Sequence, residues 1–296
     1  MTFTPKITLI IANYNNGNFF KDCYNSLISQ TEKDWEAIVI DDLSTDNSAV
    51  VISQMIKDDA RFKFYQNEEN TGYQKTLLKG VELSSAPIFG RVDPDDALEA
   101  NALSVMIEAH HNNPDAGLIY SNFTICNEQL APKKVQQATQ ITKLDEKYYN
   151  FQSEISHFAT FKKSIYALTS GFDPFNKRAE DKDIYMKMCE VAPVKHISQS
   201  LYLYRMHMGG SSSIKNEERA IFWHVVALVK MAERRNLNIE NLFVEKFVLR
   251  DRAEEQLEEQ LEYLREEQRG KIEMVKNSRI IILLSKLGLI NFYNDL

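Results

Sequence analysis

The stretch ITLIIANYNNGNFFKDCYNSLI, residues 7–28, contains one repeat of the pattern that decides the fold. Its first part, ITLIIANY, is a β-branched apolar run, the mark of a strand buried on both faces. Asn15-Asn16-Gly17-Asn18 then signals a turn and a helix start. Phe20, Cys23, Tyr24, Leu27 and Ile28 follow at the spacing of one helix face. The pattern recurs down the chain. WEAIVIDD (35–42) reads as a second buried strand, and STDNSAVVISQMIKDD as a capped helix. RFKFYQN (61–67) alternates as a shorter strand, and residues 71–85 read as a helix with an internal Gly80. PIFGRVD (87–93) is a strand, NALSVMIEAHHNNP a helix ending near Pro114, and AGLIYSNF another strand.

Alternation of this kind predicts an α/β protein with a mostly parallel sheet covered on both faces. Ligands bind such sheets outside the carboxyl ends of the strands. The polar groups of this chain gather at those ends: Asn13, Tyr14 and Asn15; Asp41 and Asp42; Asp93, Asp95 and Asp96.

The bulk composition sets bounds. The chain has 296 residues, 44% hydrophobic and 26% charged, with ample material for a core. A net charge of −7 offers no general attraction to nucleic acid. Cys23, Cys126 and Cys189 lack paired spacing, which argues against a disulfide framework or structural zinc and for a reducing compartment. Cys23 falls on the buried helix face and reads as structural. The N-terminus reads as a first strand rather than a signal peptide, and no stretch reaches the ~20 apolar residues of a membrane span. A cytoplasmic protein is expected.

Residues 127–170 are less regular, and loops or a short lid are expected there. AEDKDIYMKMCEVA reads as a helix with an acidic start, HISQSLYLYRMH as a strand, and GGSSS as a loop. The expected division is a domain over residues 1–215 and a helical region over 216–296. In the latter, Leu257, Leu261 and Leu264 keep helical spacing. Such stripes are usually intramolecular packing, with a homodimeric coiled coil as the alternative. The basic, apolar segment 276–293 suits a membrane surface or a partner.

The DPDD element, residues 93–96, carries the chemistry or the cap. As a helix start, Asp95 or Asp96 caps the following helix. Asp93, ahead of Pro94 at a strand end, is not explained that way. Crowded carboxylates repel unless a cation or hydrogen-bond donors compensate them. A hard divalent metal does so, taking its other ligands from water and phosphate. Asp42 can cap a helix or accept from a base or ribose, and Tyr14 can stack on a nucleobase or fill the core. Phe158 can stack on a sugar or belong to the core.

Five segments occur in a telling order: ITLIIANYNN, WEAIVIDDLSTDNS, NTGYQKTLLKGVELSSAPIFGRVDPDD, SGFDPFNKRAEDKDIYMKM and YRMHMGGSSS. Over residues 5 to about 213 the chain resembles the family 2 glycosyltransferases. The resemblance implies the GT-A (nucleotide-diphospho-sugar transferase) fold, a Rossmann-like sandwich, with a C-terminal helical region added. It implies an inverting transferase that uses Mn²⁺ or Mg²⁺. The donor is a nucleotide sugar, expected to be UDP-linked, and the acceptor a glycan or lipid-linked hydroxyl in cell-surface polysaccharide or glycoconjugate synthesis.

Roles follow for matching positions. Ala12 and Tyr14 line the base pocket and Asp42 holds the base. Asp93, with Pro94, approaches ribose or diphosphate, and Asp95 ligates the metal with His207 near it. Asp181 is the catalytic base, with Glu180 beside it, and Asp96 has a supporting place. The usual Arg-Asn of the middle motif is replaced by Leu77-Leu78-Lys79, so Lys75 is chosen as the diphosphate's cationic partner. Other readings are an Asp-dependent phosphotransferase, a glycoside hydrolase with paired carboxylates, and an inactive transferase-like assembly subunit. A peripheral contact with the cytoplasmic face of a membrane is expected through residues 276–293.

Overall fold

A computed structural model describes residues 4–142, 154–207 and 217–276. The chain divides into two compact units, residues 1–236 and 237–296. The strands of the first unit are β1 (Ile7–Asn13), β2 (Trp35–Asp41), β3 (Phe62–Gln66), β4 (Ile88–Arg91), β5 (Ala97–Leu98), β6 (Leu118–Cys126), β7 (Pro132–Gln136), β8 (Ala159–Lys162) and β9 (Val194–Arg205). Its helices are α1 (Phe20–Ile28), α2 (Ser48–Ile56), α3 (Tyr73–Leu83), α4 (Ala102–Asn112), α5 (Lys163–Tyr166), α6 (Glu180–Val191) and α7 (Glu217–Arg235).

Among the described residues these strands form one sheet in the order β3-β2-β1-β4-β8-β6-β9-β5, with β7 on β6. β3, β2, β1 and β4 run parallel. At β4 the direction changes, because β8 is antiparallel to both β4 and β6. β9 then runs parallel to β6. β1 and β2 are buried at every position, as a strand covered on both faces must be.

One face packs on α1, α2 and α4 through Ile7, Leu9, Ile11, Phe20, Leu27, Ile52, Leu103 and Met106. Each fully buried side chain of this kind contributes about 1.5–3 kcal/mol. The other face carries α3, α5 and α6. Phe161 of β8 stacks on Phe89 at 5.0 Å and meets Tyr166 and Tyr185. Gly80 explains itself here: a Cβ would lie 2.3 Å from Ile10 Cγ2, so glycine lets α3 lie close on β1.

Several expectations change. Asp95 and Asp96 do not cap α4, because β5 intervenes and the N-cap is Asn101. The segment expected to be loop contains β7, β8 and α5, while residues 143–153 lie outside the described residues. Phe158 is fully buried in the core rather than available to a sugar. The compact units part after residue 236, not at 215, and α7 packs on α6 with Lys230 paired to Asp173 and Arg234 to Glu190.

The second unit holds α8 (Glu240–Phe243), a π-helical turn (Val244–Val248) and α9 (Leu249–Lys276). Leu257, Leu261 and Leu264 are exposed, so their stripe is not packed against the described residues. No helix of the described residues is long and apolar enough to cross a membrane. The GGSSS loop and residues 277–293 of the basic segment lie outside the described residues.

Candidate active site

The carboxyl ends of β1 and β2 carry a dense polar network, in which Asn13 Oδ1 is buried without a partner among the described residues. Parallel register places Asn13 beside Asp41, and Asn13 Nδ2 donates to Asp41 Oδ1 at 2.7 Å. Asp41 also accepts from Ser44 and Gln66, so its carboxylate closes the turn after β2. Asp42 Oδ1 accepts from Asn67 Nδ2 at 2.7 Å and from the Thr71 N–H and hydroxyl at 2.9 and 3.1 Å. Its Oδ2 accepts from Gly72 N at 2.8 Å. Burial works to raise the Asp42 pKa, but these donors together hold it below its ordinary value. Oδ2 keeps acceptor capacity for one more donor. Ala12 is buried beneath this rim, and Tyr14 is 46% exposed on it, so Tyr14 is not core. Lys75 is exposed on α3.

β4 delivers the acidic element. Side chains alternate along a strand, so Phe89, Arg91 and Asp93 share the face toward α3 and α6. Asp93 Oδ1 accepts from the Tyr73 hydroxyl at 2.6 Å, and its N–H donates to the Tyr202 Oη at 3.1 Å. Pro94 is buried. A turn closes from Asp96 N to Asp93 O at 3.1 Å. Asp96, 1% exposed, accepts from the Tyr202 hydroxyl at 2.7 Å and from Arg205 N at 2.7 Å. It is a buried clasp onto β9. Asp95 keeps its carboxylate in the site, with Oδ2 2.9 Å from His207 Nε2. Arg205 Nε donates to the Asp95 carbonyl at 2.5 Å, and its guanidinium pairs with Asp22 and lies over Phe19. Phe19 also packs on His207, with ring centroids 4.6 Å apart. Burial, then the neighbouring Asp93 charge, pushes both Asp95 and Asp96 upward.

The third component is the start of α6. Ala179 precedes it in the left-handed region at φ 56, and no side chain caps it. Glu180 Oε1 accepts from Arg91 Nη1 at 2.8 Å. Asp181 accepts from Lys182 N at 2.7 Å, and its side chain lines a small cavity with Arg91, His157, Phe172 and Tyr185. Burial alone would raise Asp181, yet the charges of Arg91 and Lys182 hold it below its ordinary value. Burial and Asp181 push Glu180 upward. His157 stacks on Tyr202 at 4.9 Å and on Tyr204 at 5.9 Å. Burial, then the Arg91 charge, lowers its pKa to about 4, so it is neutral near pH 7.

The structure thus brings Asp95 and His207 together with the Asp93 charge acting on Asp95, and links Asp93 to Glu180 through Arg91, whose charge also acts on Asp181. Asp42 and Tyr14 mark the neighbouring rim at β1 and β2, one strand over from β4. Sequence reasoning missed Tyr73, Arg91, His157, Tyr202 and Arg205. For Arg91 a signal existed, since it stands two residues before Asp93 and must share its face.

A family profile described as Glycosyl transferase family 2 matches residues 8–168, more than half of the chain. The chain belongs to glycosyl transferase family 2. Among the relatives of this family 2 transferase is a chondroitin synthase of Pasteurella multocida, 24% identical over 236 residues, covering 79% of this chain and 24% of that protein. A chondroitin synthase of Escherichia coli is 26% identical over 211 residues, covering 71% of this chain and 30% of that protein. The transferase therefore spans between a fifth and a third of the length of these relatives. TarS of S. aureus, residues 1–349 in complex with UDP-GlcNAc, superposes with a TM-score of 0.61 at 19% identity, covering 82% of this chain and 76% of that one. That likeness confirms the GT-A fold expected for the transferase, with its central sheet and C-terminal helical region.

Proposed function

We propose that this chain transfers a sugar from a nucleoside-diphosphate sugar to an acceptor hydroxyl, with inversion, in the synthesis of a polysaccharide or glycoconjugate. The contact between Asp95 and His207 carries the reading. It unites the DPDD element with a histidine 112 positions later, at the sheet edge where α/β folds bind ligands. Asp42 Oδ2 and Tyr14 are proposed to receive the base, and Asp93 the ribose or diphosphate. A UDP donor is favoured by analogy with TarS, which was crystallised with UDP-GlcNAc.

The donor set fits a divalent cation. One carboxylate and one imidazole meet beside a second carboxylate that repels the first, and Mn²⁺ accepts such mixed ligands. Among the described residues no group of three or more His, Cys, Asp or Glu converges, so water and phosphate oxygens would complete the shell. Asp95 and His207 would hold Mn²⁺ or Mg²⁺, which supplies charge neutralisation for a departing diphosphate. Lys75, exposed on α3, is proposed to add positive charge there.

Asp181 takes the proton of the acceptor hydroxyl as the hydroxyl attacks the anomeric carbon from the side opposite the diphosphate. Such help is worth roughly 10²–10⁴-fold in rate. The charges of Arg91 and Lys182 keep Asp181 ionised for that task. A glycan or lipid-linked acceptor, a cytoplasmic setting, a homodimer through α9, and peripheral membrane contact through residues 276–293 complete the proposal. Liposome flotation of the full chain against a chain ending at residue 276 checks the membrane part.

The function is tested by a panel of sugar nucleotides with Mn²⁺ present, scored for slow donor hydrolysis and for UDP binding by calorimetry. Hydrolysis of one UDP-sugar with metal-dependent UDP binding is expected. Absence of UDP binding with and without Mn²⁺, or accumulation of an aspartyl-phosphate, would overturn it.

A further inference from the structure

Among the described residues, Arg91 has a side chain that reaches both carboxylate elements of the site, and it does so from within the sheet. Its Nη1 donates to Glu180 Oε1 at 2.8 Å, and its Nη2 lies 3.7 Å from Asp93 Oδ2. Its guanidinium stands 5.7 Å from the Tyr73 ring centroid, and Nη2 approaches His157 Nε2 at 3.5 Å. The Arg91 side chain is 11% exposed. The same Tyr73 donates to Asp93 at 2.6 Å, so donor-side and base-side groups share one packed unit.

Stability alone does not call for this arrangement. Arg91 shares its strand face with Phe89, which packs on Phe161 and Tyr166, and an apolar side chain would continue that packing. Replacing a buried ion pair by packed apolar groups is often neutral or stabilising. What an apolar residue cannot do is span from β4 to the first turn of α6. α6 enters through a left-handed Ala179 and has no side-chain cap, so its first turn depends on outside contacts for its placement. Catalysis depends on such placement, since reacting groups must be held near their attack geometry.

We propose that Arg91 is a positioning residue, a strut that sets the separation between the donor-binding Asp93 and the first turn of α6 and thereby aims Asp181. The proposal rests on the assignment of Asp181 as base. Glu180, rather than the adjacent Asp181, takes the direct ion pair with Arg91. Among the described residues, the groups acting on Asp181 are Arg91 from β4, His157 from the segment before β8, and Glu180, Lys182 and Tyr185 from α6 itself. Of these, Arg91 is the positive charge supplied by a different element. Lysine would keep the charge but not the planar fork that meets two partners at once.

The test compares Arg91→Met, Arg91→Lys, Asp181→Asn and the Arg91→Met/Asp181→Asn double variant in the full chain. Melting temperature, UDP affinity with Mn²⁺, and turnover of the UDP-sugar that the wild type hydrolyses are measured for each. Arg91→Met is expected to lose about 100-fold in kcat while UDP affinity is retained, with a lower melting temperature because Glu180 loses its partner. Arg91→Lys is expected to recover part of that loss. The double variant is expected to be no slower than Asp181→Asn, because groups acting as a unit are not additive. Normal kcat in Arg91→Met, an equal fall in UDP affinity, or multiplying losses in the double variant would overturn the proposal. Normal turnover by Asp181→Asn would instead sink the base assignment, and the proposal with it.

Discussion

His207 Nε2 and Asp95 Oδ2 are 2.9 Å apart, although 112 positions separate them in the chain. β9 ends at Arg205, whose backbone N–H is held by Asp96, so the clasp beside the pair fixes its geometry. His207→Ala and Asp95→Asn should each weaken Mn²⁺-dependent UDP binding at least about tenfold, or 1.4 kcal/mol. Metal-free binding should stay the same. Calorimetry with and without Mn²⁺ reads both, and unchanged metal dependence in either variant would remove that residue from the cation site.

Asp181→Asn should lower turnover roughly 10²–10⁴-fold with UDP affinity retained. A base works in its ionised form, so activity is present above its pKa and is lost as pH falls through it. Arg91 and Lys182 hold Asp181 below the ordinary carboxylate value. The acid limb of kcat should therefore lie below the ordinary carboxylate range, and Arg91→Met should move it upward. A limb near neutral pH in the wild type would point to a different base.

Stability should fall with acidification above the range where carboxylates titrate. His110 is lowered to about 4 by burial and then by Lys162, and His157 to about 4 by burial and then by Arg91. Both are neutral in the folded chain while the unfolded chain takes up protons below about 6.5. The unfolded state then binds more protons, so stability rises with pH across that interval and is lost as pH drops from 6.5 toward 4. Glu36 adds a later loss. Burial would raise it, but Lys63, Ser85 and Thr8 hold it at about 2, so its contribution is present above 4.5 and disappears through about pH 2. Melting temperatures across this range check the order, and His110→Gln should flatten the upper part.

Phe158→Ala should cost about 3–5 kcal/mol, as for a large buried aromatic, and leave UDP affinity unchanged. Phe158 is fully buried, and its ring lies 3.0–3.1 Å from the position of a Cβ at Gly90. Denaturant melts against UDP titrations separate this core role from a sugar-stacking one.

The parallel half of the fold was legible because its signals are long. β1 and β2 each have seven apolar-rich residues, and α1 shows its buried face in Phe20, Cys23 and Leu27. β8 was not legible, since four residues, ATFK, carry no period and owe their place to pairing with β4 and β6. The DPDD element was visible as a site, but the division of labour within it was not. Asp96 turns to Tyr202 and Arg205 on β9, more than 100 positions away, and no local spacing reports that. The leucine stripe of α9 has helical spacing, yet spacing alone does not say what covers it, and Leu257, Leu261 and Leu264 are exposed.

The reversal of strand direction at β4 makes that strand a boundary between two differently built halves. On one side, β1 to β3 and their loops carry the groups proposed to recognise the nucleotide. On the other, β8, β6 and β9 present a differently built edge. Changes in β8, β6 and β9 would leave the proposed nucleotide groups of β1 to β3 untouched, provided positions 89 and 91 of β4 and Tyr202 and Arg205 of β9, which hold Asp93, Asp95 and Asp96, keep their fit. The seam strand would then be the slowest part of the sheet to diversify, while the strands on either side drift at different rates.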